Sequence, residues 1–294
     1  MPLAGIIPPV VTPMLADESL DLPRLKSHID FLLARGVDGI FVLGTTGEFY
    51  ALDETEKQRV VAAAVEHVNG RVPVYAGTGA ETTREVVRLT KMAEKERANG
   101  VSVITPYFLK PSQAEMVDHF RRVAECSAMP VILYNNPATC AGVSIEPATV
   151  AKLASVPGIV GIKDSSGDME GTIEMVKRTP PEFSVLIGRD SLILPALTFG
   201  VKGAIPSTSN IAPDVGVGIY RSFRAGDIPT AQAFQNRFTT IRLVMNLATG
   251  NGAVKEAMAI LGRPAGPSRA PIGPMPADKR ERLKEALKLA GVTE

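Results

Sequence analysis

The chain of 294 residues has no tryptophan, only two cysteines and only three histidines. Two cysteines, Cys126 and Cys140, cannot build a disulfide framework, and they are typical of a protein from a reducing compartment. The histidines, His28, His67 and His119, are far apart, and none belongs to an HExxH or CxxC type of cluster. We therefore expect no bound metal ion.

Neither sign of charge dominates, since 32 basic and 31 acidic residues give a formal net charge of +1. Without a basic run or a stripe of aromatic and basic residues, the sequence does not indicate a nucleic-acid partner. The apolar runs are too short to span a bilayer, and residues 1–5 do not have the layout of a signal peptide. The sequence therefore predicts a cytoplasmic enzyme with neither a membrane nor a nucleic acid as partner.

Short apolar runs alternate with longer amphipathic stretches over most of the chain. Eight runs, rich in Val and Ile, have the length of strands: Gly5–Met14, Gly39–Gly44, Val72–Gly77, Val101–Tyr107, Pro130–Tyr134, Ile159–Lys163, Phe183–Gly188 and Gly203–Ser207. Eight stretches have helical periodicity: Leu22–Arg35, Glu54–Val68, Thr83–Ala98, Ala114–Ser127, Glu146–Ser155, Glu170–Arg178, Leu192–Phe199 and Pro213–Arg224. Apolar residues at consecutive positions are typical of parallel strands buried on both faces.

Eight strand–helix units predict a (β/α)8 TIM barrel, because a doubly wound sheet usually has fewer strands and a glycine fingerprint after the first. We assign residues 1–226 to this barrel, which carries the active site. From residue 227 the alternation stops, and three helices are predicted at Thr230–Leu247, Ala253–Leu261 and Pro276–Ala290. We expect residues 227–294 to be a C-terminal helical appendage packed on the barrel as one structural unit. An independent domain is the alternative, but so small a module is marginal alone.

The active site of such a barrel lies at the C-terminal ends of the strands. Lys163 closes the apolar run 158–162, and a lysine is almost never buried without a reason. Desolvation of an amine that points into the barrel favours its neutral, nucleophilic form. The alternative interpretation is a lysine that extends to solvent or pairs with Asp164.

Two further strand ends carry groups suited to catalysis. Tyr134 ends the run 131–133 and could move a proton, or it could only fill the top of the barrel. The turn GTTGE at 44–48 could bind a carboxylate with its backbone amides and two hydroxyls. In the alternative, it is a capped turn whose threonines bond only to backbone.

These motifs, GTTGE at 44–48, TPY at 105–107, YN at 134–135 and GIKD at 161–164, together resemble the dihydrodipicolinate synthase / N-acetylneuraminate lyase superfamily. The resemblance runs from 11–14 to 269–272, with the motifs in family order and spacing. It implies a (β/α)8 enzyme of the class I aldolase type, in which a lysine forms an imine with a 2-oxo acid. It also implies a homotetramer, a dimer of dimers, with Tyr107 near the tight interface.

The resemblance implies a role for each matching residue. Lys163 would form the imine with the 2-oxo carbon, and Tyr134 would be the general acid and base, relayed through the Thr45 hydroxyl. Thr45 would also contact the substrate carboxylate. The remaining substrate contacts would come from the turn and two strand ends: Thr46, Gly47, Gly188 and Ile205. No metal or organic cofactor would be required, because the protonated imine is itself an electron sink.

Two departures from the synthase pattern bear on the substrate. Phe108 stands where the synthases carry a second tyrosine, and the segment 134–142 lacks the arginine that binds the carboxylate of their aldehyde substrate. A pocket without this charge favours a hydroxylated 2-oxo acid. We expect its hydroxyls to be bound by four side chains, those of Thr139, Asp190, Ser207 and Thr208.

The predicted function is therefore a Schiff-base lyase for such an acid. Aldol cleavage, dehydration and deamination stay open, because all three proceed through the same imine. Two other functions also stay open. One is dihydrodipicolinate synthase, which condenses pyruvate with aspartate semialdehyde, and the other is a non-catalytic barrel that only binds a 2-oxo acid.

Overall fold

A computed structural model describes residues 3–249 and 251–293, in which eight short β-strands occur. They are β1 (Gly5–Ile6), β2 (Ile40–Val42), β3 (Val74–Gly77), β4 (Gly100–Ile104), β5 (Val131–Asn135), β6 (Ile159–Asp164), β7 (Ser184–Ile187) and β8 (Gly203–Ala204). Each strand overlaps one of the eight predicted runs, so their number and order are confirmed.

Eleven α-helices lie in the described residues. They are α1 (Leu22–Leu33), α2 (Glu54–Val68), α3 (Thr83–Lys95), α4 (Gln113–Glu125), α5 (Pro147–Leu153), α6 (Met169–Arg178), α7 (Ile193–Thr198), α8 (Pro213–Arg224), α9 (Ile228–Val244), α10 (Gly252–Ile260) and α11 (Ala277–Leu289). At the start of α2, Asp53 accepts a hydrogen bond from Glu56 N (2.8 Å) and Glu56 Oε2 accepts one from Asp53 N (3.0 Å), a capping box. Within residues 3–249 and 251–293, no helix has both the length and the apolar composition needed to cross a membrane.

The strands form one parallel sheet in the order β1-β8-β7-β6-β5-β4-β3-β2. The chain just after β1 closes the barrel onto β2, since Phe41 N donates to Pro8 O (3.0 Å) and Val10 N donates to Phe41 O (2.8 Å). The sequence predicts a strand over 5–14, but only residues 5–6 are regular. Pro8 and Pro9 are the reason, because proline has no N–H for a neighbouring strand. The (β/α)8 barrel itself is confirmed.

Side chains that point into the barrel form their own apolar cluster: Leu3, Ile7, Phe41, Tyr75, Ile132, Leu186 and Ile205. The other face of the strands packs against the helices, as Val185 and Ile187 of β7 do. Leu186 therefore points inward while its two neighbours point outward, as the alternation along a strand requires. Because all eight strands are parallel, the polar residues that follow them lie together at the C-terminal end of the barrel.

The segment between α10 and α11 binds to the barrel through two arginine side chains. Arg263 donates to the backbone carbonyls of Asn210 (3.1 Å) and Ile211 (2.8 Å). Arg269 forms a bidentate pair with Glu56 (2.7 and 2.8 Å), which is a strong charge-assisted contact. That residues 227–294 and the barrel fold as one unit stays a prediction.

His28 of α1 is buried beside Asn210, the residue whose backbone carbonyl binds Arg263. Its Nε2 lies 3.0 Å from Asn210 Oδ1, and an amide oxygen only accepts, so Nε2 carries the proton. Burial lowers the pKa of His28 to about 4, the hydrogen bond to Asn210 opposes the shift, and the charge of Arg263 adds to it. The folded chain therefore resists protonation of this imidazole.

Acid should destabilise the fold through His28. Between its ordinary pKa of 6.5 and about 4, the unfolded chain binds a proton that the folded chain does not, so the free energy of unfolding falls as the pH falls. From pH 7 to pH 5, we expect this residue to account for a loss of about 2 kcal/mol. Urea unfolding at both pH values measures the loss. His28→Gln, which keeps a donor for Asn210, should lose less than the wild type, and equal losses would refute the assignment.

Candidate active site

The pairing of β5 with β6 places two predicted catalytic residues side by side. Tyr134 and Lys163 are direct partners on the two strands, and they are 5% and 4% exposed. Lys163 Nζ lies 4.1 Å from the centroid of the Tyr134 ring and 5.4 Å from that of Phe41. The lysine amine therefore lies inside the barrel against two aromatic rings, and the alternative of a solvent-exposed lysine is wrong.

Asp164, the residue after the lysine, has its carboxylate bonded elsewhere. The carboxylate accepts hydrogen bonds from Asn135 Nδ2 (2.8 Å), Ser166 Oγ (2.9 Å) and Thr172 Oγ1 (2.6 Å). Asp164 also points to the opposite face of β6, since side chains alternate along a strand. The alternative of an ion pair between Lys163 and Asp164 is therefore wrong.

The hydroxyl of Tyr134 lies between two polar side chains. Asn136 Nδ2 donates to the phenolic oxygen (3.0 Å), and Thr45 Oγ1 is 3.3 Å from the same oxygen. Because the phenolic oxygen already accepts from Asn136, its own proton can be donated to Thr45. The Tyr134 and Thr45 hydroxyls can therefore pass a proton beside Lys163, while the Asn136 amide, which only donates here, orients the phenol. Nothing in the sequence pattern indicated this role for Asn136.

The GTTGE turn follows β2 and has an unusual backbone. Leu43, just before the turn, and Glu48, its last residue, have φ values of 58° and 56°, a region that residues other than glycine rarely occupy. Thr12 Oγ1 donates to Gly47 O (2.6 Å), and Thr46 is buried within the turn. Contacts with the surrounding barrel therefore hold this turn in one shape.

Glu48 forms an ion pair that the sequence did not predict. Its Oε1 lies 2.6 Å from Lys255 Nζ of α10, with both side chains buried. Glu48 Oε2 also accepts from Arg269 N (3.0 Å). Burial lowers the pKa of Lys255, and the charge of Glu48 opposes that shift. One member of the GTTGE motif thus binds the C-terminal helices.

Gly188, at the end of β7, lies directly against the lysine. A Cβ atom at this position would overlap Ser165 Oγ and come within 3.0 Å of Lys163 Cε, so glycine leaves the space that these side chains need. Ile205 lies on the adjacent strand end, where its N donates to Ile187 O (2.9 Å). The structure thus places Gly188 against Lys163 and Ser165, and Ile205 beside the strand end that carries Gly188.

Asp190, Ser207 and Thr208 also meet, at the ends of β7 and β8. Asp190 Oδ2 accepts from Ser207 Oγ (3.2 Å), from Thr208 N (3.0 Å) and from the Thr208 hydroxyl. Within the described part of the chain, Asp190 Oδ1 has no hydrogen-bond partner. Asp190, Ser207 and Thr208 therefore bond mainly to one another. Separately, residues 3–249 and 251–293 contain no group of three or more His, Cys, Asp or Glu side chains arranged for a metal ion.

Thr139 lies exposed on the loop after β5, with its Oγ1 3.3 Å from Asn136 O. The loop has no basic residue of its own, but Lys110 reaches it from the loop after β4. Lys110 Nζ lies 3.7 Å from the point that a Cβ of Gly142 would occupy. A cation is therefore present beside this loop.

Tyr107 is half-buried, with its ring centroid 6.2 Å from that of Phe49. Burial raises the pKa of Tyr107, and the charge of Glu81 adds to this effect. The next residue, Phe108, is 87% exposed and has a φ of 80°. The position of Tyr107 near a subunit interface stays a prediction.

Comparison with known proteins relates the whole chain to one family. Residues 2–290 match the model of the dihydrodipicolinate synthetase family. A 4-hydroxy-tetrahydrodipicolinate synthase of Methanoculleus marisnigri is 41% identical over 286 residues, 96% of this chain and 98% of that one. The structure of YagE from E. coli K12 in complex with pyruvate is 36% identical, with a TM-score of 0.95 over 99% of both chains. Dihydrodipicolinate synthase of Aquifex aeolicus is 35% identical, with the same TM-score and coverage.

Adding a methyl group at Gly188 should displace the lysine. Gly188→Ala is expected to slow the trapping of Lys163 by pyruvate and borohydride by about ten-fold, because sub-ångström shifts of a reacting group are costly. Gly273→Ala is the matched control, since a Cβ at Gly273 meets nothing within 4 Å.

A second variant separates the two contacts at Gly188. Ser165→Ala combined with Gly188→Ala removes the overlapping hydroxyl and should recover part of the trapping rate. Trapping of Gly188→Ala at the rate of the wild type would show that the glycine does not set the position of the lysine.

Proposed function

The chain belongs to the dihydrodipicolinate synthetase family of class I lyases, and from this we propose that Lys163 forms an imine with pyruvate or a related 2-oxo acid. The observation that carries the proposal is the position of the amine. It is buried in the barrel, 4.1 Å from the centroid of the Tyr134 ring, while the neighbouring carboxylate of Asp164 is bonded to Asn135 and Thr172. A desolvated amine beside a proton donor is suited to attack a carbonyl.

The other residues of the site take supporting roles in this proposal. Thr45, Thr46 and Gly47 bind the carboxylate of the 2-oxo acid, and the carbonyls near Gly188 and Ile205 border the pocket. Tyr134 passes protons through the Thr45 hydroxyl, for which the 3.3 Å contact between their oxygens is the support. The protonated imine withdraws electrons, so that a bond two carbons away can form or break through an enamine.

The names of the relatives favour 4-hydroxy-tetrahydrodipicolinate synthase as the finer function, over the hydroxylated acid that the sequence alone favours. Several relatives at 35% to 41% identity carry this name. Such an enzyme must hold the carboxylate of aspartate semialdehyde, and segment 134–142 has no arginine for it. Lys110, beside Gly142, supplies a cation at this loop, and we assign it the second carboxylate.

A hydroxylated 2-oxo acid is the second candidate, and the end of β7 favours it. Asp190 Oδ1 has no partner in the described residues and can accept a hydrogen bond from a substrate hydroxyl. Ser207 and the exposed Thr139 also follow strand ends, while Thr208 is buried against Asp190. Cleavage, dehydration and deamination of such an acid are all compatible with the imine.

We also propose a homotetramer in the cytoplasm, with the tight interface near Tyr107. The neighbouring Phe108 and Leu109 are 87% and 74% exposed, and two adjacent apolar side chains form a surface that a second subunit would cover. Sedimentation of the purified protein measures the subunit number.

Steady-state kinetics of Lys110→Ala test whether the enzyme uses aspartate semialdehyde with pyruvate or a hydroxylated 2-oxo acid. If pyruvate and aspartate semialdehyde are the substrates, Lys110→Ala should raise KM for the semialdehyde about ten-fold, because a charge-assisted hydrogen bond is lost. KM for pyruvate should change less than about two-fold. Lys202→Ala is the matched control, since Lys202 lies before β8 at the other end of the barrel. Lys163→Ala should have no turnover.

Three results would change this assignment. Rapid turnover by Lys163→Ala would refute the imine. Cleavage or dehydration of hydroxylated 2-oxo acids without synthase activity would establish the second candidate. Binding of pyruvate without turnover of any 2-oxo acid would indicate a non-catalytic barrel.

A further inference from the structure

The residue just before α10, Asn251, reaches the candidate active site from the C-terminal appendage. Asn251 Nδ2 donates to the backbone carbonyl of Thr45 (2.9 Å), and Thr45 Oγ1 lies 3.3 Å from the Tyr134 hydroxyl. We propose that Asn251 is a positioning residue for the proton relay of Thr45 and Tyr134. This inference rests on the imine chemistry of the proposed function, because only that chemistry uses the relay.

Lys255 provides a second contact from the same helical face. It lies four residues after Asn251, which places both side chains on one side of a helix. Its Nζ is 2.6 Å from Glu48 Oε1, and it also donates to Pro267 O (2.7 Å). Since Thr45 and Glu48 lie on either side of Thr46 and Gly47, α10 holds both ends of the segment that carries the catalytic hydroxyl.

The backbone from Leu43 to Glu48 is strained, so it needs the contacts that α10 and Asn251 provide. The positive φ values of Leu43 and Glu48 cost roughly 1–2 kcal/mol each for residues other than glycine. A turn with these costs persists only when its surroundings hold it in place. Without the bond to Asn251, Thr45 is free to relax, and a small shift would break its contact with Tyr134.

The relay acts on a proton transfer that can be measured without a second substrate. In the imine of pyruvate, a methyl proton moves to the relay and leaves an enamine, which then takes up a proton from the solvent. In D2O, this cycle replaces the methyl protons of pyruvate with deuterium, and NMR follows the exchange. The exchange rate at saturating pyruvate therefore reports the relay, and its dependence on pyruvate concentration reports binding.

Two variants of Asn251 test the bond. Asn251→Asp has the same size but, when ionised, directs only oxygen atoms at Thr45 O, so we expect exchange about ten-fold slower at saturating pyruvate. The half-saturating pyruvate concentration should change less than about two-fold. Exchange by this variant should recover toward acid pH, since a protonated carboxyl can again donate to Thr45 O. Asn251→Gln keeps an N–H donor and should restore at least half of the wild-type rate.

Glu256→Gln is the matched control for a change on α10. Glu256 pairs with Arg280 of α11 (2.5 Å), away from the turn, so this variant should exchange at the wild-type rate. Thermal unfolding of all variants checks that they are folded.

The inference is overturned if Asn251→Asp exchanges like the wild type. It is also overturned if Asp and Gln variants slow equally without recovery at acid pH, because that pattern belongs to a purely structural role. Absence of exchange in the wild type would instead overturn the proposed imine chemistry, and the inference with it.

Discussion

The parallel register of β5 and β6 is the constraint on which the rest of the site depends. Tyr134 and Lys163 are direct partners on these strands, so their side chains must lie on the same face of the sheet, here the barrel interior. A slip of either strand by one residue would exchange its inward and outward side chains. On β6, such a slip would direct Asp164 into the barrel and the lysine toward the helices. Backbone hydrogen bonds of a buried sheet thus fix the position of the amine more firmly than a loop could.

Neighbouring residues complete the surroundings of the amine. Gly188 leaves space beside Lys163 Cε, and Phe41 covers the amine from the interior. Neutral donors satisfy Asp164, so that carboxylate neither neutralises nor displaces the lysine. The Thr45 hydroxyl, which we propose to relay protons, comes from a separate turn that the barrel and α10 hold together. The proposed reacting amine is therefore on the rigid sheet, while the proposed relay includes a turn that contacts the C-terminal segment.

Local patterns in the sequence were enough to predict where Lys163 and Tyr134 lie, while their catalytic roles stay predictions. Lys163 and Tyr134 each end an apolar run, and the ends of successive strands meet in a (β/α)8 barrel. The extent of β1 was not predicted, because apolar character alone does not reveal where Pro8 and Pro9 interrupt the hydrogen bonds. Asp190 and Thr208 were expected to bind substrate hydroxyls, but their contact with each other appears only when β7 and β8 are placed side by side.

The contacts of α10 were beyond prediction for a different reason. Glu48 and Lys255 are far apart in the chain, and one sequence carries no signal that pairs them. A lysine within the largely apolar stretch 253–261 was the one available indication, since a buried charge requires a partner. Asn251 had no such indication, because an asparagine before a helix ordinarily serves as its cap.

The most direct test of the central claim is to identify the amine that reacts with a 2-oxo acid. The purified protein is incubated with pyruvate, reduced with borohydride and digested, and its peptides are mapped by mass spectrometry. We predict one stable adduct, on Lys163, and none on Lys255 or on the Lys163→Ala variant. An adduct on another lysine, or none with pyruvate and longer 2-oxo acids, would contradict the assignment of Lys163 as the reacting amine.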